Sequence, residues 1–265
     1  MLMCSWTKEF FIDKGELFLL VMNKVWIRGP EAAEIISETL KRYGIENGRI
    51  LDTYCGNGRI AINLAKLGYE VYGIDISEGY IMDAKNKARE HGVEDATKFI
   101  VGDARELTRF FPPNSFDAVL NIWTSIGYYN DEDDLEMFRE AYRVTKEGGI
   151  FIIAGCSSRD RLLKTFCPKI FEEFGDLIVL HYNDFSPIKS RLRAKWVYYM
   201  RQENGDLKYL GSTNLDLRLY SIHEVVKMLE KAGWEVVEVL ENLKERKEAK
   251  HDSPINIIAR KKRTT

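Results

Sequence analysis

Ile50-Leu51-Asp52-Thr53-Tyr54-Cys55-Gly56-Asn57-Gly58-Arg59 reads as a short β-strand that passes through a glycine-containing turn straight into a helix. The spacing predicts the strand over 49–53 and the helix over 59–67, stopped by Gly68. Gly56 and Gly58 let the backbone turn tightly and approach a ligand closely. The N–H groups at the start of the helix have no intrahelical partner and can hold a carboxylate. By itself Gly56-x-Gly58-x-x-Ala61 also fits a dinucleotide fingerprint.

Outward from this turn the pattern alternates. Strands are predicted at 70–74, 97–101, 116–121 and 150–154, and helices at 78–91 and 131–145. A helix over 30–43 precedes them, with Pro30 in its first turn and Gly44 as its stop. Strands separated by helices of this length form crossover units, so the fold class is α/β, a Rossmann-like doubly wound sheet. Residues 6–26 are read as one helix or two helical pieces. After Gly155 the rhythm changes, with strands at 176–184, 191–202 and 207–219 and a hairpin turn at Asn204-Gly205. Helix 222–232 and strands 235–240 and 255–260 close the chain. The division that follows is an N-terminal helical lid (1–29), a cofactor-binding core (30–156), a β-rich insertion on the acceptor side (157–220) and the C-terminal part of the core (221–265).

Bulk properties exclude several classes. The 265 residues are 45% hydrophobic and 30% charged, ordinary for a globular domain, and no run approaches the roughly 20 apolar residues of a membrane span. A cytoplasmic protein with no membrane partner is expected. Cys4, Cys55, Cys156 and Cys167 form no Cys-x-x-Cys pair and do not cluster with the histidines, which argues against a zinc site or a disulfide framework. Net charge is −7 over residues 1–156 and +5 over 157–265. The acidic first half disfavours a broad nucleic-acid footprint.

Two acids sharpen the ligand. Asp75 ends the second strand, where a carboxylate accepts from both ribose hydroxyls of NAD or of S-adenosylmethionine. Ser77 supplies a helix cap two residues on, which frees Asp75 from that role. Asp52 lies just before the turn and would repel a pyrophosphate, favouring a cofactor with an amino-acid end. Asp103 in Gly102-Asp103-Ala104 is placed to take an adenine amino group.

The ordered set Leu51-Asp52-x-x-Cys55-Gly56-x-Gly58-Arg59, Gly73-x-Asp75-x-Ser77, Gly102-Asp103-Ala104, Phe116-Asp117-Ala118-Val119-Leu120-Asn121 and Lys146-Glu147-Gly148-Gly149 resembles class I S-adenosylmethionine-dependent methyltransferases. Thr124 to Tyr129 and Leu217 to Ser221 resemble one widespread branch of that family. The resemblance covers about residues 30–262 and implies a seven-stranded sheet with its last strand antiparallel. It implies that Asp52, Gly56 and Gly58 border the methionine part of S-adenosylmethionine. Asp75 and Ile76 hold the ribose, Asp103 and Ala104 the adenine, and Asn121-Ile122-Trp123 face the methyl group. The family usually has glycine where this chain has Tyr54, which is read as lining the amino-acid end.

The acceptor side is less marked. Asn121-Ile122-Trp123-Thr124 lacks the Asn/Asp-Pro-Pro-Tyr/Phe of enzymes that methylate nucleic-acid amines. Cys156 lacks the Pro-Cys setting of a cytosine-directed nucleophile and reads as a small core residue. The catalytic residues are unassigned, with Trp123, Tyr128, Tyr129 and His181 as acceptor-side candidates. His223 sits inside the capping box Ser221 to Glu224 and reads as structural. Lys189, Arg191, Arg193, Lys195 and Arg201 give one strand a basic face, read as an outer face in water. Arg28 is placed to pair with the cofactor carboxylate, and Trp26 with Phe10 or Phe11 to cover the site. The expected acceptor is a small molecule, with RNA or a protein side chain as the alternative. An NAD-dependent oxidoreductase and a non-catalytic binding protein are the rival classes.

Overall fold

The apolar runs that mark the predicted strands are buried on both faces, as in a sheet covered by helices on two sides. Ile50, Leu51, Val119, Leu120 and Ile150 to Ile153 carry no exposed surface. The computed structural model describes residues 5–263, so Cys4 lies outside the described residues.

Helices α1 (Ser5–Lys8) and α2 (Gly15–Lys24), joined by the π-helical turn Glu9–Asp13, lead into α3 (Gly29–Arg42). The core then runs β1 (Arg49–Thr53), α4 (Arg59–Lys66), β2 (Glu70–Asp75), α5 (Glu78–Glu90), β3 (Thr97–Val101), β4 (Phe116–Ile122), α6 (Asp131–Val144) and β5 (Thr145–Cys156). Next come α7 (Arg159–Thr165), β6 (Lys169–Phe174), β7 (Leu177–Ser186), β8 (Arg191–Arg201) and β9 (Leu207–Arg218). Helix α8 (Ile222–Lys231) and strands β10 (Glu235–Val239) and β11 (Ile255–Arg260) finish the chain.

The main sheet has seven strands in the order β10-β11-β5-β4-β1-β2-β3, and β11 is antiparallel to both its neighbours, as expected. Strand order reverses between β1 and β4, so the carboxyl ends of these two strands diverge into a crevice. Ile36, Leu40, Ile62 and Leu64 pack on one face of the sheet, and Phe138, Val225 and Leu229 on the other.

The insertion differs from expectation. It is a separate four-stranded sheet, β6-β7-β8-β9, with β6 and the short α7 added to the three expected strands. Its turn falls at Asn204-Gly205, where Gly205 takes φ +89°. The Arg218 N–H donates to the Gly127 carbonyl at 2.7 Å and ties the end of β9 to the loop after β4. The N-terminal segment bridges both sheets. Tyr80 Oη donates to the Gly15 carbonyl (3.0 Å), Asn57 Nδ2 to Asn23 Oδ1 (3.0 Å) and Lys14 Nζ to the Ser212 carbonyl (3.0 Å).

Candidate active site

The turn after β1 keeps a left-handed backbone through residues of two kinds. Tyr54 has φ +56°, Gly56 +53° and Gly58 +80°. Tyr54 thus adopts the conformation a glycine would take, at a cost of about 1–3 kcal/mol. A Cβ on Gly58 would lie 2.9 Å from Phe99 and 3.1 Å from Ala84, so this glycine serves the close packing of helix on strand. Asp75 fixes the turn, because its Oδ2 accepts from the Gly56 N–H (3.0 Å) and its Oδ1 from the Ser77 N–H (2.9 Å). Ser77 caps α5, as expected.

Burial dominates the charges here. It pushes the Asp75 carboxyl up to about 6 against the pull of its backbone hydrogen bonds. Burial likewise raises Asp52 to about 7, opposed by the Arg59 guanidinium and reinforced by Asp75. Arg59 opens α4, its guanidinium lies 5.2 Å from the centre of the Trp123 ring, and no described residue hydrogen-bonds that guanidinium. Sequence reasoning quoted Arg59 within the motif but gave it no role.

These groups wall a cavity of about 80 Å³. Of the expected residues it brings together Asp52, Tyr54, Gly56, Asp75, Ile76, Ile122, Trp123 and Tyr128. Phe11, Phe18 and Met22 complete it from the N-terminal segment. Asp103 stands outside this wall. Its carboxylate is forked by Arg105 (Nη2 to Oδ2, 2.6 Å; Nε to Oδ1, 3.0 Å), which leaves it little capacity for an adenine amino group. Ala104 is buried beside it. Asn121 is fully buried, donates from Nδ2 to the Ser125 carbonyl (3.1 Å) and leaves Oδ1 without a hydrogen bond. Tyr129 is buried under the Arg105 guanidinium, 3.7 Å from its ring centre. Trp26 stacks on His91 at 5.9 Å and does not line this cavity, so Phe11 rather than Trp26 covers it.

The wall toward the acceptor side is strained. Trp123 and Thr124 take φ +67° and +57° in succession where β4 ends. Two left-handed non-glycine residues in a row are a costly arrangement of the kind that gathers at functional sites. Beyond Trp123 lies a second cavity of about 410 Å³, between the N-terminal segment and the insertion sheet. Phe11, Phe18, Trp123 and Tyr128 line both cavities, and Arg28 and His181 line only the second. Arg28 is exposed there. His181 is buried, with Nε2 3.0 Å from Glu172 Oε2. That contact is electrostatic, since Nε2 is not aligned for a hydrogen bond with any partner.

Other candidates are held in structural roles. The arginines of β8 are matched by acids, with Arg191 on Asp216 (2.6 Å), Arg193 on Asp184 (2.6 Å) and Arg201 on Glu173. Ser221 and Glu224 form a reciprocal capping box beside the exposed His223. Burial pushes the Cys156 thiol up to about 11 and raises that of Cys55 as well. Among the described residues no group of three His, Cys, Asp or Glu is placed to hold a metal, and no helix is long and apolar enough to cross a membrane.

Two buried carboxylates around a turn of backbone N–H groups, with a guanidinium opposite that no described residue hydrogen-bonds, suit a nucleoside bearing an amino-acid zwitterion. They repel a pyrophosphate. The sheet and this site together define a Rossmann-like nucleoside-cofactor enzyme.

Comparison with known proteins narrows the class. Residues 46–233 match the family model described as a methyltransferase domain. The chain is 40% identical over 108 residues to YqeM of Bacillus subtilis (strain 168), which covers 40% of this chain and 42% of that protein. It is 32% identical over 162 residues to the demethylmenaquinone methyltransferase of Geobacillus kaustophilus (strain HTA426), covering 60% of this chain and 62% of the relative. The chain therefore spans less than two thirds of the length of each of these two relatives. A solved S-adenosylmethionine-dependent methyltransferase from Clostridium acetobutylicum ATCC 824 shares the fold, with TM-score 0.75, 18% identity, and 87% of this chain and 91% of that one covered. The chain belongs to the class I S-adenosylmethionine-dependent methyltransferases, and S-adenosylmethionine is its cofactor.

Proposed function

We propose that this enzyme moves the methyl group of S-adenosylmethionine to a small molecule lodged in the larger cavity. The shared wall carries the reading, since Phe11, Phe18, Trp123 and Tyr128 border both cavities. A methyl group presented at Trp123 from the cofactor side is thereby directed at whatever lies beyond it. Asp75 receives the ribose hydroxyls, and Ile76 packs beside them. Asp52 faces the ammonium. Arg59, rather than the exposed Arg28, takes the carboxylate, because it stands in the same cavity as Asp52 and its guanidinium has no hydrogen-bonded partner among the described residues.

The sulfonium cofactor supplies an already activated methyl group, so the protein has to align an acceptor and keep water out. Trp123 and Tyr128 serve that purpose, and the N-terminal segment roofs both cavities as a lid that opens to admit ligands. A small acceptor is favoured over RNA because the arginines that looked available on β8 are already paired with carboxylates. The demethylmenaquinone methyltransferase is likewise named for a small-molecule acceptor. Incubating the protein with methyl-labelled cofactor and a fractionated cell extract tests the reading. Label in the metabolite fraction is expected, and label confined to RNA or protein overturns it.

A further inference from the structure

The insertion sheet has two edges in different surroundings. At the β9 edge the N-terminal segment lies across the strand, with Lys14 Nζ donating to the Ser212 carbonyl (3.0 Å) and Asn214 Nδ2 to Glu9 Oε1 (3.4 Å). At the other edge β6, Lys169-Ile170-Phe171-Glu172-Glu173-Phe174, is exposed as far as Glu173, and Phe171 keeps 57% of its surface. An uncovered edge strand presents a row of unpaired backbone groups on which a further strand can form.

The ladder to β7 fixes which groups face outward. The Asn183 N–H donates to the Pro168 carbonyl (2.7 Å), and the register runs on from Lys169 opposite Tyr182 to Phe174 opposite Leu177. Hydrogen-bonded positions alternate along an antiparallel ladder. Ile170, Glu172 and Phe174 therefore turn their backbone groups to β7, and Lys169, Phe171 and Glu173 turn theirs to the open side. Side chains alternate in the same phase. Ile170, Glu172 and Phe174 line the larger cavity, so Lys169, Phe171 and Glu173 lie on the outer face. On the open side the Lys169 carbonyl accepts from the Cys167 thiol (3.0 Å). The Lys169 ammonium lies 6.0 Å from the centre of the Tyr182 ring.

These three outward residues are complementary to themselves. Let two copies of β6 pair antiparallel about a two-fold axis through Phe171. Phe171 then faces Phe171, Lys169 of each copy faces Glu173 of the other, and every outward backbone group meets another. A shift by one residue sets outward groups against inward ones and loses the ladder. A shift by two sets a charge against Phe171. Hydrogen-bond phase and charge pattern thus select the same register. Glu173 also pairs with Arg201 on its own sheet, and its side chain is still 45% exposed, which leaves room for the second copy's lysine.

We propose that β6 is a dimer interface, where two copies of the chain join their insertion sheets into one continuous antiparallel sheet. A second copy is favoured over an unrelated strand because it supplies the matching charges and outward groups in one register. The opposite face of β6 walls the larger cavity, so the pairing also braces that wall.

Sedimentation equilibrium of the full chain tests this. The wild type should show twice the mass of one chain at micromolar concentration. Phe171→Pro removes an N–H that points outward and leaves the bonds to β7 in place, so it should keep a wild-type melting curve and sediment as a monomer. Lys169→Glu and Glu173→Lys each set like charges face to face and should weaken self-association about tenfold or more. Mixed in equal amounts, these two variants should associate as tightly as the wild type, because each acid of one then faces a base of the other. A wild type that stays monomeric at about 100 µM, a folded Phe171→Pro that still dimerises, or a mixture no tighter than either variant alone overturns the proposal. Should Phe171→Pro fail to fold, the two charge variants and their mixture decide.

Discussion

Asp75→Asn separates the two tasks of the carboxylate after β2. In the folded chain this group ionises at about 6 against an ordinary 3.8. Burial therefore makes its charged form about 3 kcal/mol less favourable than in the unfolded chain. Because the folded value is the raised one, the penalty is full above about pH 6 and fades as pH falls toward 3.8. The asparagine lifts this penalty at pH 8, yet it offers one oxygen where Asp75 used two for the Gly56 and Ser77 N–H groups. The unpaired N–H costs about 1–3 kcal/mol. The two effects nearly cancel, so the melting temperature at pH 8 should change little. From this group the wild type should gain stability between about pH 6 and pH 4, and the variant should lack that gain. Binding has no such compensation. Loss of charge-assisted bonds to a ribose should weaken S-adenosylhomocysteine by about ten- to a hundredfold, measured by calorimetry at pH 8. A folded Asp75→Asn with wild-type affinity would refute the ribose assignment.

Arg59→Gln should weaken S-adenosylhomocysteine about tenfold or more. It should also move the loss of affinity on acidification to higher pH, because Arg59 is the group holding the raised Asp52 carboxyl down; an unshifted pH profile in titrations from pH 5 to 9 would count against the pairing. Trp123→Ala and Tyr128→Phe should lower transfer by on the order of a hundredfold with little change in cofactor affinity. If both aromatics only pack, melting temperature drops and turnover stays normal. Cys156→Ala should leave transfer intact, since a thiol ionising at about 11 supplies almost no thiolate at pH 7; abolished transfer with intact cofactor binding would revive a covalent mechanism. Gly127→Ala should destabilise the chain by more than about 3 kcal/mol, because φ is +85° and the new Cβ would sit 1.9 Å from the Arg218 carbonyl oxygen. A wild-type melting curve would show that this junction can give way.

The cofactor half of the site was legible because its signals are local. Asp52 and Asp75 sit at the ends of strands whose apolar runs announce them, Gly56 lies in the turn just after the first, and their chemistry follows from that position. Arg59 was overlooked because its significance depends on Trp123 and Asp52, which β4 and β1 bring to it in space. Asp103 was given an adenine from its place after β3, while Arg105, two residues on, folds back and occupies its carboxylate. Strand β6 was missed because Lys-Ile-Phe-Glu-Glu-Phe is exposed along almost its whole length and shows no apolar alternation. The acceptor cavity was the least legible part. Phe18, Glu172 and Trp196 come from α2, β6 and β8, and no local pattern joins residues so far apart in sequence. Phe10, Phe11 and Phe18 did hint at it, as aromatics crowded on a short helical segment beside a site that must exclude water.

The most direct test is a crystal structure of the protein with S-adenosylhomocysteine bound. The ribose hydroxyls should lie on Asp75 and the amino-acid end between Asp52 and Arg59. The sulfur should face the wall of Trp123 and Tyr128, opening toward the aromatic cavity. A sulfur turned away from that wall, or a ribose held elsewhere than Asp75, would contradict the reading that the two cavities form one methyl-transfer site.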